Sequence, residues 1–266
     1  MFEAAESLAN YWEQRAARYA RERDGLAAVC SFGMPQFYNR AIDTCQRRAL
    51  KPWLEQLADA DVLEVGAGVG RWTERLAAQG NRVMSIDLSP TMAAEARRRL
   101  ERCGLEADIR VADVTEFDTS RRFDAILSVT VLQHVTDEAQ FDEVFARLAG
   151  LLRPGGRMLL LEVAPTGDPA RCDSPLSAAR PLARYRAALE RAGCRVETVG
   201  GVDPMPFKTW VLPWLRRVPR PLAVSLAAIA TAASLPLDLL LADRLVARSW
   251  HKVIVARRPE SACAAI

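Results

Sequence analysis

Histidine is scarce in this chain, which has only two, and none of its six cysteines (Cys30, Cys45, Cys103, Cys172, Cys194, Cys263) forms a C-x-x-C pair. A structural zinc site is therefore not expected, and no metal is assigned. An apolar leader is lacking as well: Met1 to Asn10 is polar and acidic. A secretory signal is not expected, and the cysteines read as reduced thiols of a cytoplasmic protein. Charge of one sign is also in short supply. The net charge is +3, and arginines along stretches such as Arg15 to Arg23 and Arg97 to Arg99 read as solvated helix faces, so no nucleic-acid partner is expected. No internal repeat appears. What is present is ordinary globular material, 50% hydrophobic and 26% charged, enough for a sizeable core.

Up to about residue 59 the spacing is helical. Tyr11, Trp12, Arg15 and Tyr19, and later Ala41 to Leu57, place apolar groups three and four residues apart. Between them Ser31 to Asn39, punctuated by Gly33 and Pro35, predicts a loop. From residue 61 the pattern changes. Short apolar runs at Val62–Val65, Arg82–Asp87, Ala107–Ala112, Phe123–Val129 and Arg157–Val163 predict strands, the last preceded by a turn at Pro154-Gly155-Gly156. Helices are predicted at Arg71–Gln79, Pro90–Cys103, Asp137–Leu152 and Ala178–Ala192, and last strands at Arg195–Val199 and Lys252–Ala256. Strands alternating with helices mean an α/β fold with a mostly parallel sheet covered on both faces. An apolar insertion, Asp203 to Ser249, interrupts the end of the pattern, and its Pro236 and Asp238 are expected to break the run Pro221–Leu241.

Glu64-Val65-Gly66-Ala67-Gly68-Val69-Gly70 follows a predicted strand and opens a predicted helix. Alternate glycines let the backbone turn sharply and approach a ligand, and the helix start offers free N–H groups to an anionic group. The dinucleotide pattern G-x-G-x-x-G fits poorly because Arg71 stands where its third glycine belongs. The acidic-x-G-x-G-x-G pattern fits completely. Asp87 ends the second strand roughly 20 residues on, where a carboxylate can accept hydrogen bonds from ribose hydroxyls, or else cap the helix starting near Ser89. Asp113 follows the third strand and can accept from an exocyclic adenine amine, or else form an Asx turn.

Taken in order, Glu64 to Gly70, Asp87, Asp113-Val114, Phe123 to Ser128 and Leu151 to Gly156 resemble the class I S-adenosylmethionine-dependent methyltransferases, closely over about residues 55 to 165. The resemblance implies a Rossmann-like seven-stranded sheet with an antiparallel last strand. It implies that the glycine loop, with Ala67, holds the methionine part of S-adenosylmethionine, that Asp87 holds ribose, and that Leu88 and Met92 pack near the adenine. Asp113 would bind the adenine amine beside Val114, Val129 and Thr130 would face the reactive methyl, and S-adenosylhomocysteine would leave as product. The expected organisation is a helical lid (1–59), the cofactor-binding core (60–202), an apolar substrate cap (203–249), and the last strand with its tail (250–266).

The segment Ser128 to His134 lacks the Asp/Asn-Pro-Pro-aromatic loop used on ring and amide nitrogens, and lacks metal-binding carboxylates. It resembles the small-molecule methyltransferase group instead. His134 is a candidate general base or a packing histidine; Tyr38 is a second, weaker base candidate; His251 reads as structural. Tyr11, Trp12, Phe37 and Tyr38 line the acceptor pocket or form a small core beneath the lid. The expected acceptor is a hydrophobic small molecule (a secondary metabolite, quinone-like or lipid-linked compound), methylated on oxygen, with nitrogen, carbon and a non-methylating cyclase or rearrangement reaction as alternatives. The insertion reads as a substrate cap, a dimer surface, or an interfacial helix touching a membrane through 210–241, with a spanning helix, long enough but Ala-rich and interrupted, as a further alternative, and the chain as monomer or homodimer.

Overall fold

The computed structural model describes residues 4–21, 24–31, 34–167, 176–204, 214–215 and 217–260. Seven strands form one sheet: β1 (Asp61–Val65), β2 (Arg82–Asp87), β3 (Asp108–Val111), β4 (Phe123–Val129), β5 (Leu152–Val163), β6 (Arg195–Gly201) and β7 (His251–Arg257). Their order is β3-β2-β1-β4-β5-β7-β6, parallel except that β7 runs antiparallel to both neighbours. This is the Rossmann-like sheet with an antiparallel last strand that the sequence implied. The inner strand β1 pairs Val62 with Val83 on one side and Ala125 on the other. Chain order reverses direction between β1 and β4, and in open α/β sheets the carboxyl edge at such a point forms a binding crevice.

The helices are α1 (Ala4–Tyr19), α2 (Leu26–Val29), α3 (Gln36–Leu54), α4 (Arg71–Ala78), α5 (Pro90–Cys103), α6 (Glu138–Leu151), α7 (Leu182–Arg191) and α8 (Arg220–Leu241). One face of the sheet is closed by α6 and α7, where Phe141 packs on Phe145 and Tyr185 with ring centroids 4.9 and 5.4 Å away. On the other face Leu50 and Leu54 of α3 and Trp72 and Leu76 of α4 pack with Val62, Leu127 and Leu159. Large aliphatic and aromatic groups thus cover both faces of the strands, which is why the strand sequences are apolar runs and not alternating patterns.

Four expectations change. The predicted loop Ser31–Asn39 ends early, because α3 starts at Gln36 behind Pro35, with Tyr38 and Asn39 buried; Phe32 and Gly33 lie outside the described residues. The predicted turn at Pro154-Gly155-Gly156 is absorbed into β5. Leu152 already pairs with Phe123, the register shifts, and Gly155 takes φ 80° and donates its N–H to Arg258 O, while Arg258 N donates to Gly156 O. Helix α7 begins at Leu182 and not at Ala178, since Pro181 disfavours helical geometry at the residue before it and so becomes the N-cap. Finally, Pro236 and Asp238 do not break α8. Pro236 is exposed, while Ala227, Ala230, Thr231, Ser234 and Asp238 are buried and α8 packs against α3. Tertiary packing outweighs the one backbone bond a proline removes.

Candidate active site

The loop after β1 is built on glycine geometry. Gly66 has φ 80°, and a Cβ there would lie 2.2 Å from Val131 Cγ2 on the loop after β4. Gly70, the N-cap of α4, has φ 77°, and its Cβ would lie 2.8 Å from the Ala96 backbone in α5. Left-handed backbone and close approach together exclude other residues. The loop is pinned to β2: Gly66 N and Ala67 N donate to Ile86 O at 2.8 and 2.9 Å, and Gly68 N donates to Asp87 Oδ2 at 2.7 Å.

Asp87 therefore has a structural role beside any role toward a ligand. Its second oxygen accepts from Ser89 N at 2.9 Å, but the cap of α5 is Ser89 itself, whose Oγ accepts from Met92 N. A carboxylate offers about four acceptor positions, so two backbone bonds leave capacity toward a ligand. Burial pushes Asp87 up to about 6, opposed by its two backbone N–H donors and assisted by the charge of Glu13.

A cavity of about 470 Å³ lies at the carboxyl edge. Of the residues singled out from the sequence, Gly66, Ala67, Gly68, Asp87, Leu88, Met92, Asp113, Val114, Val129, Thr130 and His134 all line it, and Trp12 joins them from α1. Three do not. Gly70 shapes the loop from behind. Glu64 is fully buried, accepting from Thr73 Oγ1 at 2.5 Å and Ser85 Oγ at 2.7 Å, and so ties β1 to α4 and β2. Desolvation raises it to about 7. Tyr38 is buried in α3, away from the lining, so the structure does not bring it to the site; the resemblance and the aromatic run had no means of giving its direction. Phe37 is exposed, and Tyr11 accepts from Arg15 Nη1 at 3.1 Å. Asp113 does form an Asx turn: Oδ1 accepts from Thr115 N and Oγ1, both at 2.8 Å, while among the described residues no group donates to Oδ2.

The opposite wall is the loop after β4. Thr130 adopts φ 56°, a strained conformation for a β-branched residue, held by its N–H to Leu161 O at 2.7 Å. Glu162 of β5 holds the rest: one oxygen accepts from Ser128 Oγ at 2.8 Å and from Val131 N and Leu132 N at 3.2 Å. Desolvation raises Glu162 to about 7 against those donors. His134 follows on a 3-10 turn, Leu132–His134. Its Nδ1 is 2.7 Å from Leu176 O, which can only accept, so the proton sits on Nδ1 and Nε2 carries the lone pair, 3.3 Å from Gln133 Nε2. Burial lowers the His134 pKa, Leu176 opposes and Arg15 adds to the lowering. The ring meets Trp12 edge-on, centroids 5.0 Å apart at 86°.

Several contributors were not read from the sequence. Glu13 of α1 accepts from Ser89 Oγ at 2.5 Å, from Thr91 N at 3.2 Å and from Thr91 Oγ1, clamping the first helix onto the start of α5. Arg71, which lines the cavity, donates to Asp43 Oδ1 at 2.8 Å and Gln46 Oε1 at 2.6 Å, clamping α3 onto α4. Its displacement of the third dinucleotide glycine was the one available signal. For Glu162 the signal was an acid closing the otherwise apolar run Met158 to Leu161. No residue of α8 lines the cavity, and 205–213 lie outside the described residues, so the substrate-cap expectation finds no support in α8.

Residues 62–156 match the family described as "Methyltransferase domain". The ubiquinone biosynthesis O-methyltransferase of Rhodopseudomonas palustris (strain BisB18) is 34% identical over 107 residues, 40% of this chain and 41% of that one. The enzyme of the same name from Methylocella silvestris is 40% identical over 99 residues, 36% and 37% of the two chains. The matches thus span about two fifths of these relatives' length. Among solved structures, magnesium protoporphyrin IX methyltransferase (ChlM) from Synechocystis PCC 6803 with bound SAM superposes with TM-score 0.63 at 15% identity, covering 97% of this chain and 98% of that one. The N-methyltransferase NodS from Bradyrhizobium japonicum WM9 gives 0.60 at 18%, covering 94% and 99%. The [4+2]-cyclase SpnF gives 0.57 at 17%, covering 84% and 81%. At these identities the superpositions speak for the fold alone. Residues 62–156, which carry the glycine loop, Asp87, Asp113 and His134, thus match a methyltransferase domain, and the whole chain has the fold of the superposed structures.

Proposed function

We propose that this chain transfers a methyl group from S-adenosylmethionine to an oxygen of a hydrophobic small molecule, quinone-like or lipid-linked, and releases S-adenosylhomocysteine. The observation that carries the reading is the convergence of Asp87, Asp113 and His134 on one cavity. The oxygen acceptor draws support from relatives named ubiquinone biosynthesis O-methyltransferase. When bound, the cofactor supplies an electrophilic methyl on a sulfonium that departs as a neutral thioether, so no covalent enzyme intermediate is needed.

The residues fit that group. Asp87 accepts from the ribose hydroxyls with its remaining lone pairs, and Asp113 Oδ2 accepts from the adenine amine. Leu88, Met92 and Val114 form an apolar shelf for the base. The Gly66–Gly68 backbone accommodates the methionine part, and Val129 and Thr130 border the methyl. His134, neutral and held by Leu176, takes the acceptor's proton on Nε2 and passes it to solvent. Helices α1 to α3 act as the lid (1–59) over the core (60–202), and 250–266 completes the sheet. The protein works in the cytoplasm, where a hydrophobic acceptor suits peripheral membrane contact through 210–241.

Calorimetric titration with S-adenosylmethionine and S-adenosylhomocysteine, followed by product mass, tests this. Binding, and an acceptor heavier by one methyl, is the expected result. An acceptor converted at unchanged mass assigns a non-methylating reaction of the kind a cyclase with this fold performs, and absence of cofactor binding removes the proposal.

A further inference from the structure

Helix α8 divides its apolar groups between two sides. Its fully buried residues are small or polar (Ala227, Ala230, Thr231, Ser234, Asp238) and Leu235 and Leu239 pack beside them against the core, while other large aliphatic side chains face outward. Ile229 is 67% and Leu240 72% exposed, with Leu222, Val224 and Leu237 exposed beside them. Leu222, Ile229 and Leu240 follow one another after about two and about three helical turns, so they form one straight stripe about 27 Å long. A helix of a water-soluble domain places its apolar stripe toward the core. Here Leu222, Ile229 and Leu240 have no cover among the described residues.

Cations flank both ends of the stripe. Arg217 and Arg220 precede it and Arg244 and Arg248 follow it; all four are exposed, and none forms an ion pair among the described residues. The one exposed acid beside them, Asp243, is engaged by Arg48 at 2.6 Å. Trp214, 59% exposed, stands ahead of the helix with the Arg217 guanidinium 5.3 Å from its ring centroid. Apolar stripe, terminal arginines and tryptophan are the elements of a helix lying in a lipid–water boundary. The helix is long and apolar enough to cross a bilayer. However, Asp238, Ser234 and Thr231 are committed to the protein body along one side, so lipid cannot surround it.

We propose that the outward face of α8 is a docking surface for an anionic bilayer, on which the helix lies flat with Leu222, Ile229 and Leu240 among the acyl chains and the four arginines on the headgroups. This gives face, orientation and lipid charge to the peripheral contact proposed above and does not depend on methyl transfer. A second copy of the chain would bury the same stripe but would bring the same arginines toward one another, so charge favours the lipid.

The test is flotation of the full chain, without cofactor or acceptor, on vesicles of phosphatidylcholine alone or mixed with phosphatidylglycerol. Binding to the mixed vesicles and weakening by salt are expected. Ile229→Glu with Leu240→Glu should reduce it more than about tenfold, and Arg217→Glu or Arg220→Glu about fivefold per cation lost. All are surface changes, and unaltered thermal unfolding verifies the fold. Binding indifferent to phosphatidylglycerol or to the Ile229/Leu240 change overturns the proposal. So does sedimentation showing a dimer that those substitutions split while vesicles are ignored. Cofactor titration of the same preparations separates a failure here from a failure of the methyltransferase reading.

Discussion

Glu64 on β1 and Glu162 on β5 are counterparts in the two halves of the site. Both are fully buried, both are raised to about 7 by desolvation, and each binds with one oxygen. They differ in what they hold. Glu64 receives two side-chain hydroxyls and braces elements whose geometry is already dictated by glycines. Glu162 receives backbone N–H groups of the loop that carries His134, and so sets the geometry of that loop itself. The glycine-loop half is shaped locally and merely braced; the His134 half is shaped by a residue from another strand.

The sharpest way to break the comparison is at His134. His134→Asn keeps an N–H donor for Leu176 but removes the basic nitrogen. Turnover is expected to fall about a hundredfold or more, with cofactor affinity little changed; wild-type turnover across roughly pH 6 to 9 would return His134 to packing against Trp12. In the other half, Gly70→Ala combines a left-handed backbone with a Cβ 2.8 Å from Ala96. A loss of about 3 kcal/mol is expected in denaturant unfolding, and an unaltered midpoint would contradict the packing described.

Asp87→Ala is expected to weaken cofactor binding by about 1–3 kcal/mol in titration. In the native protein affinity should fall as pH drops through about 6, because protonation removes an acceptor from Asp87. A flat profile would remove Asp87 from the ligand. The smallest effect concerns Glu162. Its folded pKa lies above its unfolded value, so the stability it contributes is present below about 4.5 and is lost as pH rises through about 7. Glu162→Gln, a mimic of the protonated form, should therefore gain stability relative to the native protein between about pH 5 and 8. A difference between the two unfolding curves that is constant with pH would mean that the shift is absent.

The same contrast explains how much was legible in the sequence. The strand runs, the glycine loop, Asp87 and Asp113 are local patterns, and the structure places the cavity where they meet. Tyr38 was misplaced because an aromatic in a Gly- and Pro-rich stretch says nothing about direction, and α3 begins early enough to bury it. Glu13, Arg71 and Glu162 act across many residues of sequence, where no spacing rule reaches. Pro236 read as a helix breaker because local propensity omits the packing against α3 that holds α8 together.

The long β5 strand has one more consequence. The stretch that matches the methyltransferase family ends at Gly156, inside the irregular entry of that strand and before its central pairings, Arg157 to Val163. It also begins after α3, whose Cys45, Leu50 and Leu54 cover one side of the sheet. The matched stretch and the completed, covered sheet are thus different lengths of the same chain. A fragment cut to the matched stretch would lose most of β5, the strands β6 and β7, and the partners of the buried Arg71 guanidinium. The matched part carries the glycine loop, Asp87, Asp113 and His134, and the cover of its sheet is completed by elements outside it.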